Sequence, residues 1–266
     1  MKSRRVFLKK ASIGTASLIV FKIPFQSKNI HYKSLYVKET NFTLHSNFPT
    51  VIGFLYSDFP EKVENDINRL RIKNHYRCKL RYGSDDKYKL NFTIDVIDYF
   101  FQEPSLHFYA RLINGRLDIE KNNVNVVHDI VYRVNYKKAI NDLRTITKID
   151  DFYLDCKSKK KVINDSSKPA ESYQYENFHT DKIELVNYLN RSIPNVNIKL
   201  KDYQQNNLSQ LSDLLTGSIY GDIVGTQSAT KRKLLIYLKN KLHVKKFSEI
   251  YNSKGNKKFF ISGTYK

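Results

Sequence analysis

The sequence predicts an α/β protein in which strands alternate with helices and form one sheet covered by them. Three observations carry this expectation. Thr50 to Tyr56, TVIGFLY, is an unbroken apolar run of strand length. Leu106 to Ile113, LHFYARLI, reads as another strand. Elsewhere apolar residues recur at three- and four-residue spacing, as in Val63, Ile67 and Leu70 or Leu208, Leu211 and Leu215, which is the pattern of helices lying on a sheet. With 266 residues, 41% of them apolar, the chain can bury a sizeable core.

In chain order, residues 1–26 carry six basic residues and no acid, with a short apolar run from Ala11 to Phe25. That run is too short to span a bilayer comfortably and follows the plan of an export signal. Ser34 to Phe42 reads as a strand, because Leu35 and Val37 alternate with polar neighbours before a polar turn. The buried strand Thr50 to Tyr56 follows. Pro60 then opens a helix that turns Val63, Ile67 and Leu70 to the sheet. Tyr76 to Tyr82, YRCKLRY, alternates and reads as a charged edge strand. Asp86 to Phe101 is expected to be a helix with Leu90, Ile94, Ile97 and Phe101 inward. After the strand Leu106 to Ile113, Asn114 to Arg133 is polar and has no assigned element. Tyr136 to Ile146 is helical, and Phe152 to Leu154 is a short strand with Asp155 at its end.

Lys157 to Thr180 has no period and reads as a loop, either a lid or a mobile connection. Asp181 caps a helix to about Asn190, and Asn195 to Leu200 alternates as a strand. Asn206 or Asn207 caps the helix that begins at Leu208, with Gly221 and Gly225 as its stop signal. Lys231 to Leu242 is a further helix. Val244 to Ile250 and Lys257 to Ser262 read as a hairpin around Asn252 to Asn256.

Lysine and arginine number 46 against 26 acids, a net charge of +20, and the two ends carry most of it. Residues 231–266 hold eleven basic residues and only one acid, Glu249. Such an end suits phosphate backbones, an anionic membrane surface or another acidic partner. An AT-rich genome, which favours Lys, Asn, Ile and Tyr codons, gives the same excess with no partner at all. Cys78 and Cys156 have no metal or redox spacing and read as buried free thiols, or as a pair in an exported chain. The seven histidines do not cluster as zinc ligands do. No Gly-rich phosphate loop follows a strand and no G-x-S-x-G elbow occurs, so nucleotide-fold and serine-hydrolase chemistry find no footing. The 19 tyrosines and 16 phenylalanines supply core volume in a chain without Trp, and are also suited to stacking on unpaired bases.

Within Leu208 to Ile219, Gln210, Asp213 and Gly217 form a second stripe beside the leucines. A carboxylate at such a close-packing position is costly unless it is paired or binds a cation. The segments LYVKETN, TVIGFLYSD, CKLRYGS, IDYFFQEPSLHFYARLI, FYLDCKSK and QLSDLLTGSI occur in this order. Together they resemble the domain-of-unknown-function family numbered 3800, over roughly Leu35 to Ile219. The late helix carries the most specific match, at Gln210, Leu211, Asp213, Leu214, Leu215 and Gly217. The resemblance implies an RNase H-like mixed sheet flanked by helices. It also implies a site in which Asp155 and Asp213 stand at the second and third acidic positions. Where that family has Asp-Glu-Ser-Gly, this chain has Lys38-Glu39-Thr40-Asn41, so a lysine replaces the leading carboxylate. Where it has Glu-x-Lys, this chain has Lys79-Leu80-Arg81, and another acid is gone.

An active enzyme of this kind would be a metal-dependent phosphodiesterase. Asp155, Asp213 and Glu39 would be its catalytic ligands to Mg2+ or Mn2+, orienting water and stabilising charge on phosphorus. Lys38 sets a positive charge where that metal belongs, which makes a degenerate site the favoured expectation. If Lys38 occupies the ligand position, Glu39 points to the opposite face unless a bulge intervenes. Three readings therefore stand: the nuclease, a non-catalytic descendant that binds nucleic acid or another anionic polymer through Lys38 and the basic tail, and an exported structural protein that keeps only the fold. No small-molecule cofactor is implied.

The leader segment Ser3-Arg4-Arg5-Val6-Phe7-Leu8-Lys9 resembles the twin-arginine signal and matches it at every specified position. This implies delivery by the twin-arginine translocation machinery across a bacterial inner membrane. Without an A-x-A site, either cleavage near Gln26 to Lys28 or an uncleaved anchor is open. The alternative is a basic leader on a cytoplasmic protein. The expected organisation is 1–27 as signal or anchor, 34–225 as the RNase H-like domain and 226–266 as a basic extension of one helix and a hairpin.

Overall fold

In Thr50–Ser57 every residue is buried, so this strand must be covered on both faces, and it forms the middle of the molecule. The computed structural model describes residues 34–40, 49–80, 87–113, 124–146, 151–156, 182–202, 206–225, 228–252 and 258–263. These form six strands in one mixed sheet and six helices. The leader and Lys157 to Thr180 lie outside them.

Strands β1 (Ser34–Thr40), β2 (Thr50–Ser57) and β3 (Leu106–Ile113) make an antiparallel meander. Helices α1 (Pro60–Lys73) and α2 (Lys87–Gln102) are inserted between β2 and β3. The chain then continues through α3 (Val124–Ile146), β4 (Asp151–Cys156), α4 (residues 182–192), β5 (Asn197–Asp202), α5 (Asn207–Val224), α6 (Ala229–Leu242), a single 3-10 turn (Phe247–Ile250) and β6 (Phe259–Ser262). The order across the sheet is β5-β4-β1-β2-β3-β6. β4 runs parallel to β1, β5 to β4 and β6 to β3, so β2 alone is reversed.

Alternation divides the core between two faces. Leu35, Val37, Ile52, Phe54 and Phe152 meet Tyr136, Ile140 and Leu143 of α3 and Leu185 and Leu189 of α4. Tyr36, Val51, Leu55, Phe108 and Phe259 meet α1, α2, α5 and α6. Each fully buried large side chain contributes about 1.5–3 kcal/mol, and α5 alone buries Leu208, Leu211, Leu214, Leu215 and Ile219. On the outer side of β5, the Asn190 side chain donates to the Ile198 carbonyl at 3.0 Å and accepts its N–H at 2.9 Å, taking the place of a neighbouring strand there.

Five expectations are corrected. Residues 76–80 are irregular rather than an edge strand, because side chains satisfy their backbone: Arg71 donates to the Cys78 carbonyl, and the Leu80 N–H goes to Gln210. Cys78 is exposed, not buried. The inward face of α2 is rotated to Phe92, Val96, Ile97 and Phe100, where Phe92 stacks on Tyr76 and Phe100 meets Phe259, leaving Leu90 and Phe101 only partly covered. The closing hairpin does not form. Phe247 enters a 3-10 turn, its N–H held by Asp222, and β6 adds to β3 instead of pairing with Val244 to Ile250. The segment expected as a basic extension thus contributes a core helix and the last strand of the sheet. Finally, α3 begins at Val124, within the stretch that had no assigned element.

Candidate functional site

The site is built by α5 lying on β1 and β2. Asn206 caps the helix by accepting the Ser209 N–H at 2.8 Å. The Glu64 carboxylate of α1 accepts the next two orphan donors, Asn207 N–H at 3.1 Å and Leu208 N–H at 3.2 Å, favourable for an anion at a helix start. One turn on, the Ser212 hydroxyl donates to the Tyr36 carbonyl of β1 at 3.2 Å. A turn further, Thr216 meets Gly53 of β2. A Cβ on Gly53 would lie 1.8 Å from Thr216 Oγ1 and 3.0 Å from the Phe108 ring. Glycine is what lets the helix descend onto the sheet here.

That descent positions Asp213. Lys38 is the register partner of Gly53 across β1 and β2. Asp213 therefore reaches Lys38, with Nζ and Oδ1 3.8 Å apart and side chains only 13% and 20% exposed. The acid singled out on this helix, Asp213, is thus paired with a cation, Lys38, as a carboxylate at a close-packing position requires. Asp155 lies in β4, the strand beside β1. Lys38 and Asp155 are each one residue beyond Val37 and Leu154, the last paired positions of those two strands. Glu39 pairs through its backbone with Ile52. The side chains of Glu39 and Asp155 lie outside the described residues, as does Arg81. Among the described residues no group of three acidic, histidine or cysteine side chains is arranged to hold a metal ion.

Gln210, the first residue of the same stripe as Asp213, is an internal hydrogen-bond acceptor. It is buried, and its Oε1 accepts the Leu80 N–H at 2.7 Å and an Arg71 N–H at 2.8 Å. Arg71 also donates to Asn207 Oδ1 at 2.9 Å and lies over the Phe92 ring at 5.0 Å. Burial pushes this guanidinium below its ordinary value, and the nearby Tyr76, Glu64 and Cys78 oppose that. Beside it, burial and the Glu64 charge push the Tyr36 hydroxyl far up. Gln210 and Arg71 thus lock α1, α5 and residues 76–80 together, and Asp213 faces the sheet a turn away.

No known protein family matches the chain, and no curated protein does. The site must be read from its own residues.

Sequence reasoning missed Gly53, Ser212, Thr216, Arg71 and Glu64. Only Gly53 gave a signal, as a glycine inside an otherwise unbroken apolar strand. A second buried polar cluster also went unseen. Glu103 accepts the Ser105 hydroxyl at 2.7 Å and its N–H at 3.2 Å, and it pairs with Lys62. Burial pushes the Glu103 carboxyl up, but Lys62 and Ser105 outweigh this and leave it below its ordinary value. Lys258, at the start of β6, donates to the Glu103 carbonyl and lies 4.9 Å over the Phe100 ring. Its burial pushes the ammonium down to about 8, only partly opposed by Glu103.

Between pH 8 and the ordinary lysine value of 10.5, the unfolded chain holds this proton and the folded chain has released it. Stability is therefore expected to rise with pH across that window, up to the onset of tyrosine ionisation. Urea midpoints should climb from pH 7.5 to 9.5 in the native chain and climb less in Lys258→Met. Equal slopes in the two would exclude this assignment.

Proposed function

We propose that the chain is an RNase H-like protein in which a lysine stands in for the catalytic metal, so that it binds nucleic acid or a related polyanion without cleaving it. The Lys38–Asp213 pair carries this reading. Two unit charges about 4 Å apart interact by roughly 4 kcal/mol at an effective dielectric of 20, so a divalent ion beside Lys38 would meet about twice that as repulsion. The same ammonium neutralises Asp213 and removes its need for a metal. Topology supports the fold. A meander with β2 reversed, then two strands added parallel on the side of β1, is the sheet an RNase H-like protein has. The positions marked by the resemblance fall on β1, on β4 beside it, and on the helix that follows β5.

For delivery, the twin-arginine-like leader supports export across a bacterial inner membrane. No helix among the described residues is long and apolar enough to cross a membrane.

Thermal melts in Mg2+ or Mn2+ test the site. The native chain is expected to show no metal-dependent rise in Tm. Lys38→Asp removes the ammonium and restores a carboxylate. At a metal concentration 100 times its Kd that variant should gain about 2.7 kcal/mol. A metal-dependent rise in the native chain, with cleavage of DNA or RNA, would replace this reading with an active nuclease.

A further inference from the structure

Residues 69–81 hold six lysines and arginines, one histidine and no acid. The structure divides the described cations of this run into three groups. Arg69 pairs with Asp66 at 3.1 Å, and Lys73 with Asp95 at 2.9 Å. Arg71 turns inward to Asn207, Gln210 and the Cys78 carbonyl. Arg77 and Lys79 stand exposed, and neither forms an ion pair with a described residue.

The backbone beneath these two cations is held along its length. At the end of α1 the His75 N–H goes to the Ile72 carbonyl at 3.1 Å and the Tyr76 N–H to the Arg71 carbonyl at 2.9 Å, with His75 at a φ of 51°. This pair of bonds closes the helix and fixes the direction in which the chain leaves it. Tyr76 is buried, its ring stacked on Phe92 at 4.7 Å, and its hydroxyl donates to the Lys79 carbonyl at 3.1 Å. Leu80 is buried as well, with its N–H on Gln210. Tyr76 and Leu80 inside hold Arg77 and Lys79 outside. Gln210 and Asp213 are three apart on α5 and share one face of it, so the bond from Leu80 to Gln210 brings the end of this segment close to the Lys38–Asp213 pair.

The chemistry of the segment selects among anionic partners. A membrane-surface segment buries a continuous apolar face in lipid. Within residues 69–80 the only exposed large apolar side chain is Ile72, 75% exposed. Single strands are held by stacking bases on aromatic rings. The one aromatic here, Tyr76, is already stacked inside on Phe92. What remains is a fixed pair of cations with neither a lipid-inserting face nor a stacking platform, which suits a line of phosphates.

We propose that Arg77 and Lys79, held outward by this pinned segment, contact the phosphate backbone of duplex nucleic acid beside the Lys38–Asp213 pair, independently of base sequence. This rests on the nucleic-acid reading above and locates its contact. Because side chains of α1 and α5 hold the segment, the contact belongs to the folded domain and not to the basic C-terminal region.

The test is fluorescence anisotropy of the full chain with a labelled DNA duplex of about 20 base pairs over a salt series. Each phosphate contact contributes about 0.9 to the slope of log affinity against log salt, so Arg77→Gln/Lys79→Gln should lower that slope by about 2 and weaken low-salt binding roughly tenfold. Lys73→Gln, whose cation already faces Asp95, should leave the slope unchanged. Melting curves of the double variant should match the native chain, since both side chains are exposed and the bonds that pin the segment use only backbone atoms of residues 77–79. A native-like slope in the double variant, or an equal fall in Lys73→Gln, would overturn the assignment to Arg77 and Lys79 and leave the nucleic-acid reading standing. Absence of duplex binding by the native chain would overturn both. Binding to vesicles of anionic lipid, with none to DNA, would also overturn both and put a membrane in place of the duplex.

Discussion

Gly53→Ala is expected to destabilise the protein by about 3 kcal/mol, at the upper end of overpacking effects. The new methyl would occupy the space of Thr216 Oγ1, 1.8 Å away, with the Phe108 ring 3.0 Å off on another side. Neither neighbour yields easily. The Thr216 hydroxyl donates to the Ser212 carbonyl at 2.6 Å, and Phe108 is packed against Phe259. Lifting α5 off the sheet would instead pull Ser212 from the Tyr36 carbonyl and Asp213 from Lys38. A double-mutant cycle isolates the contact. Thr216→Ala removes the clashing oxygen, so Gly53→Ala/Thr216→Ala should recover at least half of the loss. Urea denaturation of the four proteins provides the measurement. Simple additivity of the two single changes would show that α5 does not press on Gly53.

The second large effect is expected at Gln210. In Gln210→Ala, the Leu80 N–H loses its acceptor in a buried position and Arg71 loses one of its three. A stranded buried donor costs about 1–3 kcal/mol and a hydrogen bond to a charged group about 1.5–3, so a loss of about 3 kcal/mol follows. Gln210→Glu keeps an acceptor oxygen for both donors and places a carboxylate against Arg71. It should lose less than half as much in the same denaturation experiment. If the glutamate variant proves as damaging as alanine, the role of Gln210 is packing and not hydrogen bonding.

Both residues bear on what could be read from the chain beforehand. The strand β2, a continuous apolar run, was visible because its side chains alone record burial on two faces. The helix α5 was visible from its leucines and its asparagine cap. The segment YRCKLRY misled because strand-like alternation placed Tyr76 and Leu80 inside while the backbone found side-chain partners, Gln210 and Arg71, that are distant in sequence. β6 was misassigned because its four residues pair with a strand about 150 positions earlier, and nothing local records that choice. At the site, the spacing of Gln210, Asp213 and Gly217 identified an unusual acid. The position of Lys38 beneath it depends on the β1–β2 register together with the helix height set at Gly53. A sequence pattern contains neither quantity.

The late position of α5 along the chain bears on synthesis. β1 and β2 leave the ribosome early, yet the helix that covers Tyr36, Val51 and Leu55 begins only at Asn207. A nascent chain that stops short of it presents an oily half-sheet to the surrounding solution. A product truncated before Asn207 would leave that face without α5 and is expected to be prone to aggregation.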